Sequence, residues 1–437
     1  MRPPGQDRTA EESEALRIFL RLIRPKPLDD PYPLYARLRD LAPLLPVRLP
    51  GVPSGYLVST FASCSRLLRD PAFGPPTTAH LDALRPGWRD NAFTRCMYRS
   101  MVFQTGAQHR ERRQAVARPF GPRQLAAYRT ELDQIADQLV DRLARLGPGP
   151  VDLMEHLALP FAALSLGRLL AIPDDEAIRL GRLARQVGPV FEQFASAQQH
   201  RQVATAGEEM VRRLSVVVAG HRGADSGSPL ARLAAHIGQD KQLAAAVLLF
   251  GAGFDSPASL VGLGTRLLLE HPRQARLVAE QDEMASRAVA EILRFEPPVQ
   301  LVARAALAPV DLAGVLIPAG TMVFGLIGAA NRDPAQVKEP EVFDVTRERV
   351  PSLSFGAGPH YCLGAFLAGM QGEVVFPRLL RRFPGLRLAG TPVYRAPGST
   401  LRGLESLPLV LRPERATAPM PVLDTHSDEP ISLRVTC

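Results

Sequence analysis

The chain has 437 residues, of which 46% are hydrophobic and 22% charged, and its formal net charge is +8. It is long enough to bury a large core, and no long charged or low-complexity stretch divides it, so we expect one large domain. The 52 basic residues are dispersed and are not interleaved with aromatic residues. This pattern argues against a nucleic-acid-binding protein.

Targeting and redox signals indicate a cytoplasmic protein. Residues 1–14 are polar and lack the basic, apolar and cleavage regions of a signal peptide. The longest apolar stretch, residues 243–254, is about half of the roughly 20 residues that span a bilayer, so it predicts a buried helix. The four cysteines have neither zinc spacing nor the density of a disulfide scaffold: Cys64, Cys96, Cys362 and Cys437.

The first hundred residues predict a mixture of elements. We expect an N-terminal segment over residues 1–30 and a single domain over residues 31–412. Residues 56–60 predict a short strand between helical pieces. Residues 75–100 mix proline, threonine and aromatic residues, and we expect a long mobile loop with a function.

The rest of the chain predicts a mainly α fold with a minor β part. Helical periodicity dominates residues 108–280, with breaks at Pro/Gly-rich stretches that include residues 220–229. Short strands are expected near Val302 and over residues 316–323. Residues 413–437 lack periodicity and predict a loosely ordered tail.

A glycine-punctuated turn over residues 355–364 isolates Cys362 before an apolar helix. Gly356, Gly358 and Gly364 are expected to supply unusual dihedral angles and close backbone approach. The dipole of the following helix favours a thiolate at its N-terminus. The pattern therefore predicts a sulfur ligand for a metal, with a buried structural cysteine as the alternative.

The same turn resembles the haem-binding signature F-x-x-G-x-[HR]-x-C-x-G of the cytochrome P450 superfamily, and it matches at Phe355, Gly358, His360, Cys362 and Gly364. The resemblance is to bacterial class I members and implies the cytochrome P450 fold. It implies that Cys362 is the axial thiolate of haem b, whose electron push favours cleavage of dioxygen. It also implies that His360 faces a propionate and that Phe355, Gly356 and Gly364 adjoin the haem.

Further family motifs follow in the expected order. His109 and Arg113 lie four apart on one helix face, which alone would indicate a solvated basic surface. The resemblance implies that both bind haem propionates, as does Arg304, and that Ala252 leaves space over the haem. Asn331 to Pro334 match the family's N-R-D-P turn.

Glu291 and Arg294 match the family's E-x-x-R motif. A surface ion pair of this kind would contribute at most about 1 kcal/mol, but the resemblance implies a buried structural network. Many relatives add an arginine where this chain has Val342, so Arg347 or a backbone carbonyl is expected to substitute. Gly369 replaces another common arginine, which removes a local ion pair or a partner contact.

The candidate catalytic residues are Asp255 and Ser256, because splitting dioxygen requires an acid and a hydroxyl. The resemblance places them in the family's A-G-x-[DE]-T segment, with serine in the threonine position. Pro257 is expected to kink the helix. Alternatively, Ser256 merely precedes the kink, and protons arrive through water or a substrate hydroxyl.

The resemblance also implies an apolar substrate pocket, drawn from residues 75–100, 187–198, 249–255, 299–302 and 399–401. Each candidate lining residue is equally consistent with ordinary core packing: Phe191, Phe250, Phe254, Val299, Leu301 and Thr400.

The leading hypothesis is a monomeric haem-thiolate monooxygenase that hydroxylates or epoxidises an apolar small molecule. Its expected task is to tailor a bacterial polyketide, macrolactam, peptide or terpenoid. Electrons are expected from NAD(P)H through a separate ferredoxin reductase and ferredoxin, docked on a basic face. The alternatives are peroxide-driven oxidation, oxidative coupling or rearrangement, and a non-catalytic haem sensor or recruitment module.

Overall fold

A computed structural model describes residues 6–24, 26, 28–48, 55–117, 120–147, 149–220, 239–348, 351–396 and 400–411. The predicted C-terminal tail and most of the predicted break at residues 220–229 lie outside these ranges. The sections below concern the described residues.

Sixteen α-helices account for most of the described chain, which confirms the prediction of a mainly α fold. In chain order they are α1 (Gln6–Leu22), α2 (Tyr32–Leu41), α3 (Phe61–Arg69), α4 (Thr78–Leu84), α5 (Ala92–Tyr98), α6 (Gly106–Ala117), α7 (Pro122–Ala144), α8 (Leu159–Leu169), α9 (Asp174–Val187), α10 (Ala197–Gly220), α11 (Gln239–Gly253), α12 (Asp255–Glu270), α13 (Pro272–Glu280), α14 (Met284–Phe295), α15 (Ile327–Ala330) and α16 (Ala365–Arg382).

The minor β part consists of short strands: β1 (Leu44–Val47), β2 (Gly55–Val58), β3 (Phe73–Gly74), β4 (Pro150–Asp152), β5 (Leu301–Ala306), β6 (Val310–Leu312), β7 (Val315–Ile317), β8 (Met322–Leu326), β9 (Arg387–Leu388), β10 (Val393–Tyr394), β11 (Leu404–Ser406) and β12 (Pro408–Val410). The largest sheet has the order β1-β2-β8-β5-β3. Only its β2–β8 pair is parallel. The strand expected over residues 316–323 is divided between β7 and β8, because a turn with Gly320 at φ +79° interrupts it.

The N-terminal helix belongs to the same core as the largest sheet. Ala15, Ile18 and Phe19 of α1 are buried, and the Phe19 ring lies 5.9 Å from that of Phe324 on β8. The expected boundary at residue 31 therefore does not coincide with a gap in packing.

The prediction of a long loop over residues 75–100 is wrong, because this stretch contains helices α4 and α5. The Thr77 hydroxyl lies 2.7 Å from Nδ1 of His80 at the start of α4. The amide of Thr94 donates to the side chain of Asn91 at the start of α5, over 3.1 Å. These caps satisfy amides that open each helix, so local polar contacts outweigh the irregular composition.

Helices α11 and α12 run together through the centre of the molecule. Residues 241–270 are long and apolar enough to cross a membrane, but 78% of the most apolar window is buried inside the protein. This segment is therefore the core helix that the apolar stretch predicts. The regular helix is interrupted at Phe254, between α11 and α12, as expected because Pro257 cannot donate a backbone hydrogen bond.

Candidate active site

The turn that carries Cys362 is shaped by two glycines in the left-handed region, Gly356 at φ +71° and Gly358 at φ +68°. A Cβ on Gly358 would lie 2.7 Å from the carbonyl oxygen of Leu68, so glycine is also required by close packing. Gly364 differs from the expectation, because its φ is an ordinary −87°. A Cβ there would meet nothing within 4 Å, so Gly364 leaves open space beside the cysteine.

Cys362 opens onto a cavity of about 320 Å³. Its backbone amide donates to the carbonyl of Phe355 over 2.8 Å, which holds the turn closed. Burial raises the pKa of the Cys362 thiol, while a hydrogen bond from the Gly364 backbone and the positive charge of Arg113 lower it. A thiolate in this position therefore requires a further positive partner, such as a metal ion.

Four basic side chains meet at the edge of this cavity: His109, Arg113, Arg304 and His360. The rings of His109 and His360 lie 4.2 Å apart. His109 is 4% exposed, and its Nε2 has no hydrogen-bond partner in the described structure. In the described part of the chain, none of the four forms an ion pair with a carboxylate.

The electrostatics of this basic group indicate a site for an anion. Burial lowers the pKa of Arg304 to about 10. Burial also lowers the pKa of His360 to about 3, with further lowering by Arg304, His109 and Arg113. An uncompensated buried guanidinium is costly, so a ligand with carboxylates would stabilise Arg304, and neutral imidazoles could donate hydrogen bonds to the same carboxylates.

Haem fits these residues. No group of three or more His, Cys, Asp or Glu side chains among the described residues could hold a metal ion alone. The cavity offers one thiol, basic groups for carboxylates and predominantly apolar walls.

The Glu291–Arg294 pair lies buried on α14, with exposed side-chain fractions of 1% and 0%. Arg294 donates to both carboxylate oxygens over 2.7 and 2.8 Å. It also donates to the carbonyls of Pro340 and Val342 over 2.7 and 3.1 Å. Arg347 Nε lies 3.4 Å from Glu291, so both expected substitutes for the missing arginine at Val342 are present.

Asn331 links this network to the cysteine turn. Its side-chain oxygen accepts from the Leu353 amide, and its side-chain nitrogen donates to the Ser354 hydroxyl, each over 2.8 Å. Asp333 accepts from the Phe61 amide over 2.8 Å at the start of α3. The sequence predicts only a turn at residues 331–334, because the residues that Asn331 and Asp333 contact are distant in the chain.

The opposite wall of the cavity contains Ala252, Gly253, Ser256 and Pro257. Asp255 is not part of this wall. Its side chain lies behind the helix, where Oδ1 is 2.7 Å from Nη1 of Arg395.

The second oxygen of Asp255, Oδ2, is buried without a hydrogen-bond partner in the described structure. Burial raises the pKa of Asp255, and the opposing attraction of Arg395 does not cancel this effect. No sequence signal identified Arg395, because it lies about 140 residues away in the chain.

Of the six candidate substrate-pocket residues, the structure places Val299 in the cavity wall. Phe250 and Phe254 belong to the helical core, and Leu301 belongs to the core beneath the largest sheet. Phe191 packs against the helical core from outside the cavity. Thr400 is buried, and its amide donates to Glu192 over 3.0 Å.

Several lining residues were missed by sequence reasoning: Met101, Val102, Leu166, Leu248, Pro298 and Ile327. Met101 and Val102 follow the region 75–100 directly. Leu248 and Pro298 directly precede the predicted ranges 249–255 and 299–302. Leu166 and Ile327 face the cavity only because distant elements meet there, and their apolar type does not separate them from core residues.

Comparison with known proteins identifies the class. The cytochrome P450 family model matches residues 238–385. The chain is 31% identical over 395 residues to the cytochrome P450 monooxygenase PikC of Streptomyces venezuelae, covering 87% of this chain and 91% of that protein. It is 33% identical over 397 residues to 6-deoxyerythronolide B hydroxylase of Saccharopolyspora erythraea, covering 87% and 96%.

A solved structure agrees over the whole domain. The LnmA cytochrome P450 hydroxylase from the leinamycin biosynthetic pathway of Streptomyces atroolivaceus superposes with a TM-score of 0.77 at 30% identity. The match covers 88% of this chain and 97% of that one. The fold and cavity therefore define a haem-thiolate oxidoreductase. The chain belongs to the bacterial cytochrome P450 monooxygenases.

Proposed function

We propose that Cys362 is the axial haem ligand and that the enzyme inserts one oxygen atom of O2 into an apolar small molecule. The observation that supports this best is the position of Cys362 in a cavity whose edge carries basic side chains without carboxylate partners. Haem would supply the binding and splitting of O2. His109, Arg113, Arg304 and His360 would hold its two propionates.

The distal residues would manage protons. Oxygen insertion sends one oxygen atom to the substrate and the other to water, and it consumes two electrons and two protons. Ser256 lies in the cavity wall and would donate a hydrogen bond there. Asp255 would pass protons on from behind the helix, because burial raises its pKa and so lowers the cost of protonating the carboxyl.

The substrate is proposed to be an apolar molecule of bacterial secondary metabolism, and the reaction a hydroxylation or epoxidation. The apolar residues Leu248, Leu249 and Val299 line the same cavity as Ser256. The named activities of the relatives, a monooxygenase and two hydroxylases, support this class of reaction. A cytoplasmic location and a monomeric state remain predictions.

A ferredoxin is proposed to bind on the cysteine side. A groove of about 550 Å³ beside the cysteine turn is lined by Tyr361, Phe366, Gly369, Arg129 and Glu373. Tyr361 and Phe366 are 46% and 44% exposed. Tyr361 in this groove directly precedes Cys362 in the chain, so electrons from NAD(P)H would enter here through a ferredoxin reductase and its ferredoxin.

The alternative functions predict different experimental outcomes. Peroxide-driven oxidation would proceed without a reductase, and coupling or rearrangement would add no oxygen mass to the product. A haem sensor or recruitment module would bind a ligand and consume no O2. Ser256 in the cavity wall favours the monooxygenase, because a hydroxyl donor there has no function in passive haem binding.

The first test is the Soret band of the reduced protein under carbon monoxide, for wild type, Cys362→Ala and Cys96→Ser. We expect a strongly red-shifted thiolate-type band in wild type and Cys96→Ser, and its loss in Cys362→Ala. Cys96 is a suitable control because it is partly buried and does not line the cavity. An unshifted wild-type band would contradict the assignment of Cys362.

A further inference from the structure

A second, basic pocket opens on the surface between α5, α6, α10 and α11. It has a volume of about 420 Å³. Four cationic side chains line it: Arg95, Arg99, Arg112 and Lys241. Its described lining contains no carboxylate, so the concentration of positive charge is not compensated from within the pocket.

The charges of this pocket are only partly neutralised by neighbouring groups. Lys241 pairs with Glu111 over 2.6 Å. Arg95 donates to the carbonyl of Arg89 over 2.6 Å, and Arg112 donates to the carbonyl of Arg99. These carbonyls orient the guanidinium groups without cancelling their charge. Among the described side chains, no carboxylate forms an ion pair with Arg95, Arg99 or Arg112.

A narrow, mostly apolar space lies between the basic pocket and the haem cavity and shares lining residues with both. That space has a volume of about 30 Å³ and shares Arg112, Lys241 and Ala244 with the basic pocket. At its other end it shares Met101, Leu248 and Leu249 with the haem cavity. The three spaces are therefore adjacent, and the side chains that they share separate the cationic pocket from the cavity that contains Cys362.

The small volume of this space limits what could occupy it. A cavity needs about 10–15 Å³ on this measure to hold one water molecule, so about 30 Å³ admits only about two or three. A bulky ring system would not enter without large rearrangement. A thin aliphatic chain would need only rotamer changes of Met101, Leu248 and Leu249, and methionine adapts easily to such changes.

We propose that the basic pocket binds the anionic end of a chain-like substrate whose apolar part extends toward Ser256. The chemical class is a phosphate joined to an aliphatic chain. Arginine is well suited to phosphate, because its planar guanidinium donates two hydrogen bonds in parallel. This inference rests on the proposed monooxygenase function and specifies its substrate class.

The phosphate could belong to a free amphiphile or to a phosphopantetheine arm that carries an acyl chain. Three probes distinguish these sources from simple hydrophobic binding: dodecyl phosphate, dodecan-1-ol and S-dodecanoyl-4′-phosphopantetheine. Binding to the haem-loaded protein is measured by calorimetry, together with the shift of the ferric Soret band at low and high salt.

We expect dodecyl phosphate or the phosphopantetheine thioester to bind at least about tenfold more tightly than dodecan-1-ol, equivalent to about 1.4 kcal/mol. Whichever of these two phosphate compounds binds more tightly identifies the source of the phosphate group. The preference should weaken at high salt, because ions screen exposed charges.

The variant Arg95→Gln/Arg99→Gln should lose most of this preference and bind dodecan-1-ol as wild type does. The matched control is Arg273→Gln/Arg276→Gln on α13, where both arginines are exposed. Equal binding of the alcohol and both phosphates would overturn the proposal, as would an equal loss of affinity in the control. The carbon monoxide spectrum of the same samples tests the haem-thiolate assignment separately, so the two failures are distinguishable.

Discussion

The cysteine side and the oxygen side of the cavity differ in how firmly their polar groups are held. Behind the cysteine turn, Arg294 makes five hydrogen bonds, to Glu291 and to three backbone carbonyls. On the oxygen side, Asp255 has one ionic partner, Arg395, and a buried oxygen without a hydrogen bond.

This difference corresponds to different tasks. A saturated buried network fixes one geometry, because every alternative position would leave a charged group unpaired. A carboxyl with a raised pKa and an unsatisfied oxygen can change its protonation state at a smaller cost. The cysteine side is thus suited to holding a ligand in place, and the oxygen side to transferring protons.

The largest expected effect is on the network behind the cysteine turn. Glu291→Gln would leave the Arg294 guanidinium buried without a counter-charge, and breaking a buried pair costs about 3–5 kcal/mol. Urea unfolding should report this loss together with release of haem. Glu280→Gln, an exposed acid on α13, is the control; similar stability of both variants would contradict the difference between the two sides.

A second effect concerns Asp255. If it supplies protons, Asp255→Asn should lower substrate oxidation by about 100-fold, within the usual range for general acid catalysis. Haem content and the carbon monoxide band should stay unchanged. Product formation and the solvent isotope effect are the measurements, and unchanged turnover would remove Asp255 from the proton pathway.

The pH dependence of stability gives a separate test of Asp255. Burial raises its pKa in the folded state above the ordinary 3.8. Its neutral form therefore favours the folded state below pH 3.8, and this contribution is lost as the pH rises through the raised value. The stability of wild type relative to Asp255→Asn should fall over that range. A constant difference would show that the carboxyl does not titrate there.

A smaller effect is expected at Arg304, whose replacement should weaken haem binding but stabilise the haem-free protein. Arg304→Met should weaken haem binding by about ten- to a hundredfold, because a charge-assisted hydrogen bond contributes about 1.5–3 kcal/mol. The haem-free protein should become more stable, since an uncompensated buried charge is removed. Haem titration and apoprotein unfolding measure both. Arg276→Met should change neither.

The smallest effect is expected at Ser256. Ser256→Thr adds the β-methyl group that restricts the side-chain rotamer. Restricting one side chain is worth about 0.5–1 kcal/mol, so the fraction of consumed O2 that appears in product should rise by about two- to fivefold. A fall in this fraction would show that the cavity wall depends on the smaller side chain.

The sequence predicted the cysteine side well because its signals are local. Gly356 and Gly358 have the left-handed dihedral angles that the turn requires, and Glu291 and Arg294 lie one helical turn apart on α14. It predicted the substrate side poorly. Apolar periodicity marks Phe250 and Phe254 as buried, but it does not distinguish a core surface from a cavity surface.

The helical class, the haem-binding signature and the break near Pro257 can be inferred from the sequence alone, because each follows from neighbouring residues and their backbone preferences. The sequence does not show that Arg395 pairs with Asp255, that Arg347 reaches Glu291, or that three adjacent spaces lie between Arg95 and the cavity. These contacts join residues far apart in the chain, and only the packing of helices and strands brings such side chains together.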